Sequence, residues 1–282
     1  MRVGYAGMLL AFDLDRTVVT DEGTLPGGIV TAIQTAREAG HRVTVLTGRA
    51  RASAQRYLEQ LEIVGPFSVN HGAVVMRDMD TTLSHVTLPA VDVHSLVGPY
   101  LDEELIEFSC MVADRLFVKN PSDPRWAWVH AQNRVITRFT LDFGLAADKV
   151  LFAASDTSVT IQQRVKRDLP HLEHYLWGDG FLEVLAAGAD KGTALARIAK
   201  HLDIPRHDVI AFGDGLNDVS MLRWAGRSVA VGPHVHPDAL AVAGEHIASP
   251  EEGGVAHWLA ANLSAQSRHA PQTRAALSDS TA

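Results

Sequence analysis

Cys110 is the only cysteine in 282 residues, so no intrachain disulfide can form and a cysteine-based zinc site is disfavoured. Its apolar surroundings in "LIEFSCMVA" read as a small core residue rather than a nucleophile. No apolar run approaches membrane-spanning length. The apolar stretch near the N-terminus is too short for a signal peptide and ends on carboxylates. Positive charge is also scarce: 25 Lys and Arg stand against 33 Asp and Glu, a formal net charge of -8. No long basic block appears, which argues against nucleic acid and anionic membrane as partners. There is no internal repeat. From Ser264 onward no core pattern is sustained, so residues 264–282 are expected to be a disordered tail. A cytoplasmic protein is expected, monomeric or homodimeric.

What is present is a strand–helix rhythm. Met8 to Phe12 is a short apolar strand, and Ile29, Ile33 and Ala36 then recur at helical spacing before Gly40, which suits a helix stop. "RVTVLTG" is a second strand, Ala54, Leu58 and Leu61 mark a second helix, and "FSVN" starts a third strand. The rhythm returns with the Leu195, Ile198 and Leu202 stripe, the strand "DVIAFGD", the helix "NDVSMLRWAG" and the strand "SVAVG". Such alternation predicts a doubly wound α/β core with a parallel sheet. Between the halves the pattern changes to strand-like runs and two helices, which predicts an inserted α+β unit. The expected division is 1–84 and 186–263 for the core and 85–185 for the insert.

Polar residues collect at the ends of the core strands, where open α/β sheets bind ligands. Asp13 and Asp15 follow the first strand, and Thr47 ends the second. Asp214 follows "VIAFG", with Asn217 and Asp218 opening the next helix, and Lys191 begins a helix after "AAGAD". Carboxylates sharing a partly buried site repel one another, so a cation or a proton must offset them. Oxygen-only ligands suit a hard ion, Mg²⁺ first. Metal and lysine together would neutralise a phosphate while a carboxylate attacks it. Taken alone, Asp13 and Asp15 read equally well as a strand end whose carboxylates cap a helix or pair with Arg16.

The set "FDLDRT", "LTGR", "DKGTAL" and "GDGLND", in that order, resembles the four motifs of haloacid dehalogenase-like (HAD) phosphatases. The insert resembles the type IIB cap of their Cof-like branch. The resemblance spans roughly Met8 to Leu263 and implies roles for individual residues. Asp13 would be nucleophile and metal ligand. Asp15 would be general acid/base, with its backbone carbonyl on the metal. Thr47 and Lys191 would serve the phosphoryl group, and Asp214 and Asp218 would hold Mg²⁺ or support its shell. Thr17, Gly48, Arg49, Asn70 and Asn217 would line the substrate site. The implied reaction is hydrolysis of a small phosphorylated metabolite, a sugar phosphate first. A phosphohexomutase and a catalytically weakened metabolite-binding protein are the alternatives.

Several features invite a second reading. "GDG" occurs twice, but only Gly213–Gly215 follows a buried run; Gly178–Gly180 reads as a hairpin turn around Asp179. The pairs His171/His174 and His234/His236 read as surface histidines rather than zinc ligands. Trp126 and Trp128 read as cap-core or loop packing, with a sugar pocket as the alternative. In "VNHGA" either Asn70 or His71 could face substrate, because the family pattern is Asn-Gly-Ala. Arg16 stands where the family has glycine, or serine in some relatives, which suggests that glycine's backbone is not required there. Three placements are open for Arg16: toward the cap and leaving group, outward to Asp21 or Glu22, or crowding the site.

Overall fold

The structure is a computed structural model that describes residues 7–131 and 134–263; the expected tail, 264–282, lies outside the described residues. Strand Leu9–Phe12 is buried throughout. Leu10 and Phe12 pack with Ile29, Ile33, Leu58 and Trp258, whereas Leu9 and Ala11 pack with Leu195, Ile198 and Met221. A strand apolar on both faces needs helices above and below it, the condition under which parallel sheets form. Five parallel strands follow in the order Glu245–Ile247, Arg227–Val231, Val209–Gly213, Leu9–Phe12, Arg42–Val45. Helices Ile29–Glu38, Arg51–Gln60 and Gly254–Leu263 contribute to one core, and Lys191–His201 and Val219–Trp224 to the other.

The chain leaves Leu9–Phe12 for Arg42–Val45 on one side and later returns as Val209–Gly213 on the other. That reversal is a topological switch point, where the carboxyl ends of neighbouring strands open a crevice. The third strand differs from the expectation. Phe67–Val69 touches the sheet in parallel only through the Leu46–Ser68 bridge, and its ladder is antiparallel with Val74–Met76. The intervening turn, Asn70–Gly72, is too short for a parallel crossover, so the chain folds back as a hairpin.

The insert carries a six-stranded sheet in the order Glu173–Leu176, Phe181–Leu185, Lys149–Ala153, Glu107–Val112, Arg115–Val118, Val135–Arg138. Phe108, Cys110, Val150, Phe152, Leu182 and Val184 share one buried cluster with residues of helices Ala90–Val97 and Thr157–Asp168. Burial pushes the Cys110 thiol up, in keeping with an inert core position. By the period of two, Ser109, Met111, Lys149, Leu151 and Glu183 point the other way, and they line a cavity together with Arg49, Ala50 and Ser53 of the core. Gly178–Gly180 joins two antiparallel strands, as the hairpin reading expects. Among the described residues no helix is long and apolar enough to cross a membrane.

Candidate active site

Phe12 and Phe212 are paired across the two central strands, so the residues that follow emerge side by side in the crevice. One oxygen each from Asp13, Asp214 and Asp218 lies within 4.8 Å of the others, and all three residues are buried. Lys191 Nζ sits 2.6 Å from Asp13 Oδ1 and 2.5 Å from Asp218 Oδ1, with its side chain 0% exposed. Asp190 places that lysine: its carboxylate accepts from the Thr193 N–H at 2.9 Å and caps the helix that Lys191 opens. The second oxygen of Asp218 accepts from the backbone N–H groups of Asp214 and Gly215, at 3.0 and 2.8 Å. Both Asp218 oxygens are therefore engaged. A Cβ on Gly213 would come within 2.6 Å of that carboxyl, which accounts for glycine in "GDG".

The crowding has an electrostatic consequence. Burial first, then the charge of Asp218, holds the Asp13 carboxyl well above the usual range, against the pull of Lys191. Asp214 is pushed up to about 7 by burial and by Asp218, with Arg16 and Lys191 opposing. Burial would lower Lys191, but Asp13 and Asp218 raise it, so it stays a cation. Three buried carboxylates with one buried lysine leave a deficit of positive charge, and the free donors are all oxygen. That donor set fits a hard divalent cation.

The remaining sequence candidates fall into place around this cluster. The Asp15 carboxylate lies outside it with a side chain 47% exposed, held by Arg49 through Nε at 2.9 Å and Nη2 at 2.5 Å. Thr47 is buried, and its hydroxyl accepts from the Arg49 N–H at 3.1 Å. The Thr17 hydroxyl is buried without a hydrogen-bond partner among the described residues. Asp13, Asp15, Arg16, Gly48, Arg49 and Asn217 are among the residues lining a cavity of about 230 Å³. Among the described residues the acidic trio is the group of three that meets metal-ligand spacing; His171 instead lies 3.9 Å from Asp92 and His174 lies beside Gln162.

A family model for haloacid dehalogenase-like hydrolases matches residues 10–259. The chain belongs to that family. It is a HAD phosphatase of the Cof-like branch. A 5-amino-6-(5-phospho-D-ribitylamino)uracil phosphatase of Bacillus subtilis is 29% identical over 263 residues, covering 89% of this chain and 96% of the relative. A pyridoxal phosphate phosphatase of Escherichia coli is 27% identical over 244 residues, covering 79% and 87%. The solved structure of a subclass IIB sugar phosphatase superposes with a TM-score of 0.78 at 21% identity, covering 90% and 98%.

In this HAD phosphatase the geometry distinguishes the alternatives left open at positions 70, 71 and 16. Asn70 does not line the cavity beside Asp13. Its amide is 3.4 Å from Asp148, its Oδ1 has no hydrogen-bond partner among the described residues, and it borders a separate hollow. His71 faces the site instead, because Asn70 and His71 both take a left-handed backbone, φ 51 and 57, and swing the imidazole over Gly48. A Cβ on Gly48 would lie 2.3 Å from that ring. Of the three placements open for Arg16, it takes the one inside the site, lining the cavity beside Asp13. Its Nε is 3.3 Å from Asp214 Oδ2, and its φ of 56 is left-handed, so the position does use the backbone that glycine reaches without strain.

Sequence reasoning missed the cap residues that meet the core. Glu183 Oε2 is 2.6 Å from His71 Nε2, Trp177 Nε1 donates to Glu183 at 3.0 Å, and Lys149 pairs with Glu183. Lys149 also donates to the Gly48 carbonyl at 3.2 Å. Asn217 Nδ2 is 3.1 Å from His71 Nδ1, so Nδ1 accepts and Nε2 carries the proton given to Glu183. The signal was the glutamate inside the apolar run "FLEVL", a buried charge that has to find a partner. Of the two tryptophans, Trp126 is core, with Nε1 on Glu107 at 3.2 Å, whereas Trp128 lines the cap cavity.

Proposed function

We propose that this protein is a Mg²⁺-dependent phosphatase that hydrolyses a small phosphomonoester through an aspartyl-phosphate on Asp13. The observation that carries the reading is the Asp13–Lys191–Asp218 chain beside Asp214 at the switch point. Asp13 is the nucleophile, and Lys191 keeps its carboxylate oriented and offsets the incoming phosphoryl charge. Asp13, Asp214 and the Asp15 carbonyl would hold Mg²⁺, with Asp218 fixing Lys191 and the Asp214 loop from behind. The ion, when bound, supplies the charge that lets phosphate and carboxylates share the site.

Asp15 stands at the mouth of the crevice, where it protonates the leaving oxygen and then takes a proton from the hydrolytic water. Arg49 orients it. Thr47, Asn217 and Gly48 border the phosphoryl group, while Thr17 and His71 shape the crevice wall. Residues 1–84 and 186–263 act as the core, and 85–185 as a cap whose seating excludes bulk water. A cytoplasmic location and a monomeric or homodimeric assembly belong to the same proposal.

The substrate is a small phosphorylated metabolite. Sugar phosphates, pyridoxal phosphate and phosphorylated ribitylaminouracil form the first panel, the last two suggested by the relatives' names. Purified protein is assayed for inorganic phosphate release with Mg²⁺ and with EDTA. Release from at least one substrate, abolished by EDTA, is expected. No release from any, or isomerisation of a hexose phosphate without release, contradicts the reading.

A further inference from the structure

The cap sheet turns one face toward the core, and that face floors a cavity of about 190 Å³. Ser109, Met111, Leu151, Trp128 and Arg134 are among its lining residues, and Arg49 and Glu183 line both it and the crevice beside Asp13. The two spaces therefore adjoin. A leaving group bonded to a phosphoryl group at Asp13 has this cavity next to it.

Arg134 is the unexplained residue. It is 8% exposed, its Nε has no hydrogen-bond partner among the described residues, and its Nη2 rests against the Met111 sulfur at 2.9 Å. A buried guanidinium left in that state is costly. The other cations of the cavity are already matched, Arg49 by Asp15 and Lys149 by Glu183. Among the described residues, one cation of the cavity, Arg134, is left without an ion-pair contact. Burial lowers the Arg134 pKa and Asp114 acts on it through space in the opposite sense, but arginine remains charged at any physiological pH.

We propose that Arg134 is a specificity-determining residue that receives a carboxylate carried by a planar leaving group lying along the Trp128 indole. The proposal rests on the phosphatase reading and adds a substrate class to it. One surplus cation matches a singly charged carboxylate, and the guanidinium fork matches its geometry. Trp128 is 38% exposed and lines the cavity, and an indole stacks with a planar ring. The size agrees as well: a cavity of about 150 Å³ accommodates benzene, so 190 Å³ holds a ring with one small substituent.

The test compares kcat/KM for phenyl phosphate and for 3- and 4-carboxyphenyl phosphate. The wild-type enzyme is expected to prefer the better carboxylated isomer by about 10-fold or more, the worth of a charge-assisted hydrogen bond. Arg134→Met is expected to lower that preference about 10- to 100-fold, and Arg134→Lys to keep part of it. Should Arg134→Met fail to fold, as judged by circular dichroism, Arg134→Gln and Arg134→Lys carry the comparison. A wild-type enzyme without the preference, or one whose preference survives in every Arg134 variant, overturns the proposal and leaves the phosphatase reading intact. An enzyme that hydrolyses no phosphomonoester overturns the reading itself.

Discussion

Arg16 Nε lies 3.3 Å from Asp214 Oδ2, so a side-chain cation already contacts a carboxylate offered to the metal. The Arg16 side chain is 48% exposed, and an ion pair that accessible to water is worth about 1 kcal/mol or less. Arg16→Gly should therefore tighten Mg²⁺ binding by about two- to fivefold, measured by isothermal titration calorimetry without substrate. Weaker binding in the variant would mean that Arg16 assists the site instead of competing at it.

The metal should also act on the fold. Asp13 and Asp214 are held above the usual carboxylate range by burial and then by the charge of Asp218, and a bound cation relieves both. Saturation at about 100 times Kd contributes ~2.7 kcal/mol. For a chain of this size that is a rise in Tm of about 5–10 °C, read by scanning calorimetry with Mg²⁺ against EDTA. Asp214→Asn should abolish the rise. A metal-independent Tm in the wild type would refute this account of the trio.

Lys191 is fully buried between two carboxylates. Lys191→Met leaves Asp13 and Asp218 buried without their cation, a loss of about 3–5 kcal/mol. Urea denaturation in EDTA measures it, and phosphatase turnover should disappear in parallel. A loss below about 1 kcal/mol would show that these carboxylates do not depend on the lysine.

Cap and core share a latch whose pH dependence has a definite sign. Burial would raise Glu183, but Lys149 and then His71 hold it far below the usual carboxylate range. Burial lowers His71 from 6.5, outweighing Glu183, with Lys149 and Lys191 adding to the effect. Both folded pKa values lie below the unfolded ones, so both contributions are present at neutral pH and are lost on acidification. The His71 part begins to fade as pH falls through about 6.5 and the Glu183 part below about 4.5. Asp13 and Asp214, whose pKa values are raised, act in the opposite sense over the same range, so the latch is read as a difference: from pH 7 to 5 the wild-type Tm should fall further, or rise less, than that of His71→Gln. Parallel curves would remove His71 from the latch.

How much of this was legible follows from where each signal resides. Asp13, Asp214 and Lys191 were readable because each follows a short apolar run or opens a helix, and open α/β sheets gather such residues at the carboxyl ends of their strands. Arg16 was readable as a departure but not in its placement, which depends on a left-handed φ of 56 and on Asp214, 198 positions along the chain. The choice between Asn70 and His71 turned on two successive positive φ values that residue identity does not announce. Lys149, Glu183 and Arg134 were hidden because their meaning depends on which face of the cap sheet meets the core. Strand alternation shows that there are two faces, and only tertiary packing says which one carries function.

The central claim is that Asp13 is the nucleophile, and Asp13→Asn tests it most directly. Turnover of the best substrate from the panel is followed beside acid-quenched mass spectrometry of the intact wild-type protein. The account predicts that Asp13→Asn folds normally and releases no phosphate, while the quenched wild type carries one phosphoryl group on the peptide containing Asp13. Retained turnover in Asp13→Asn, or a phosphoryl group on another residue, would contradict it.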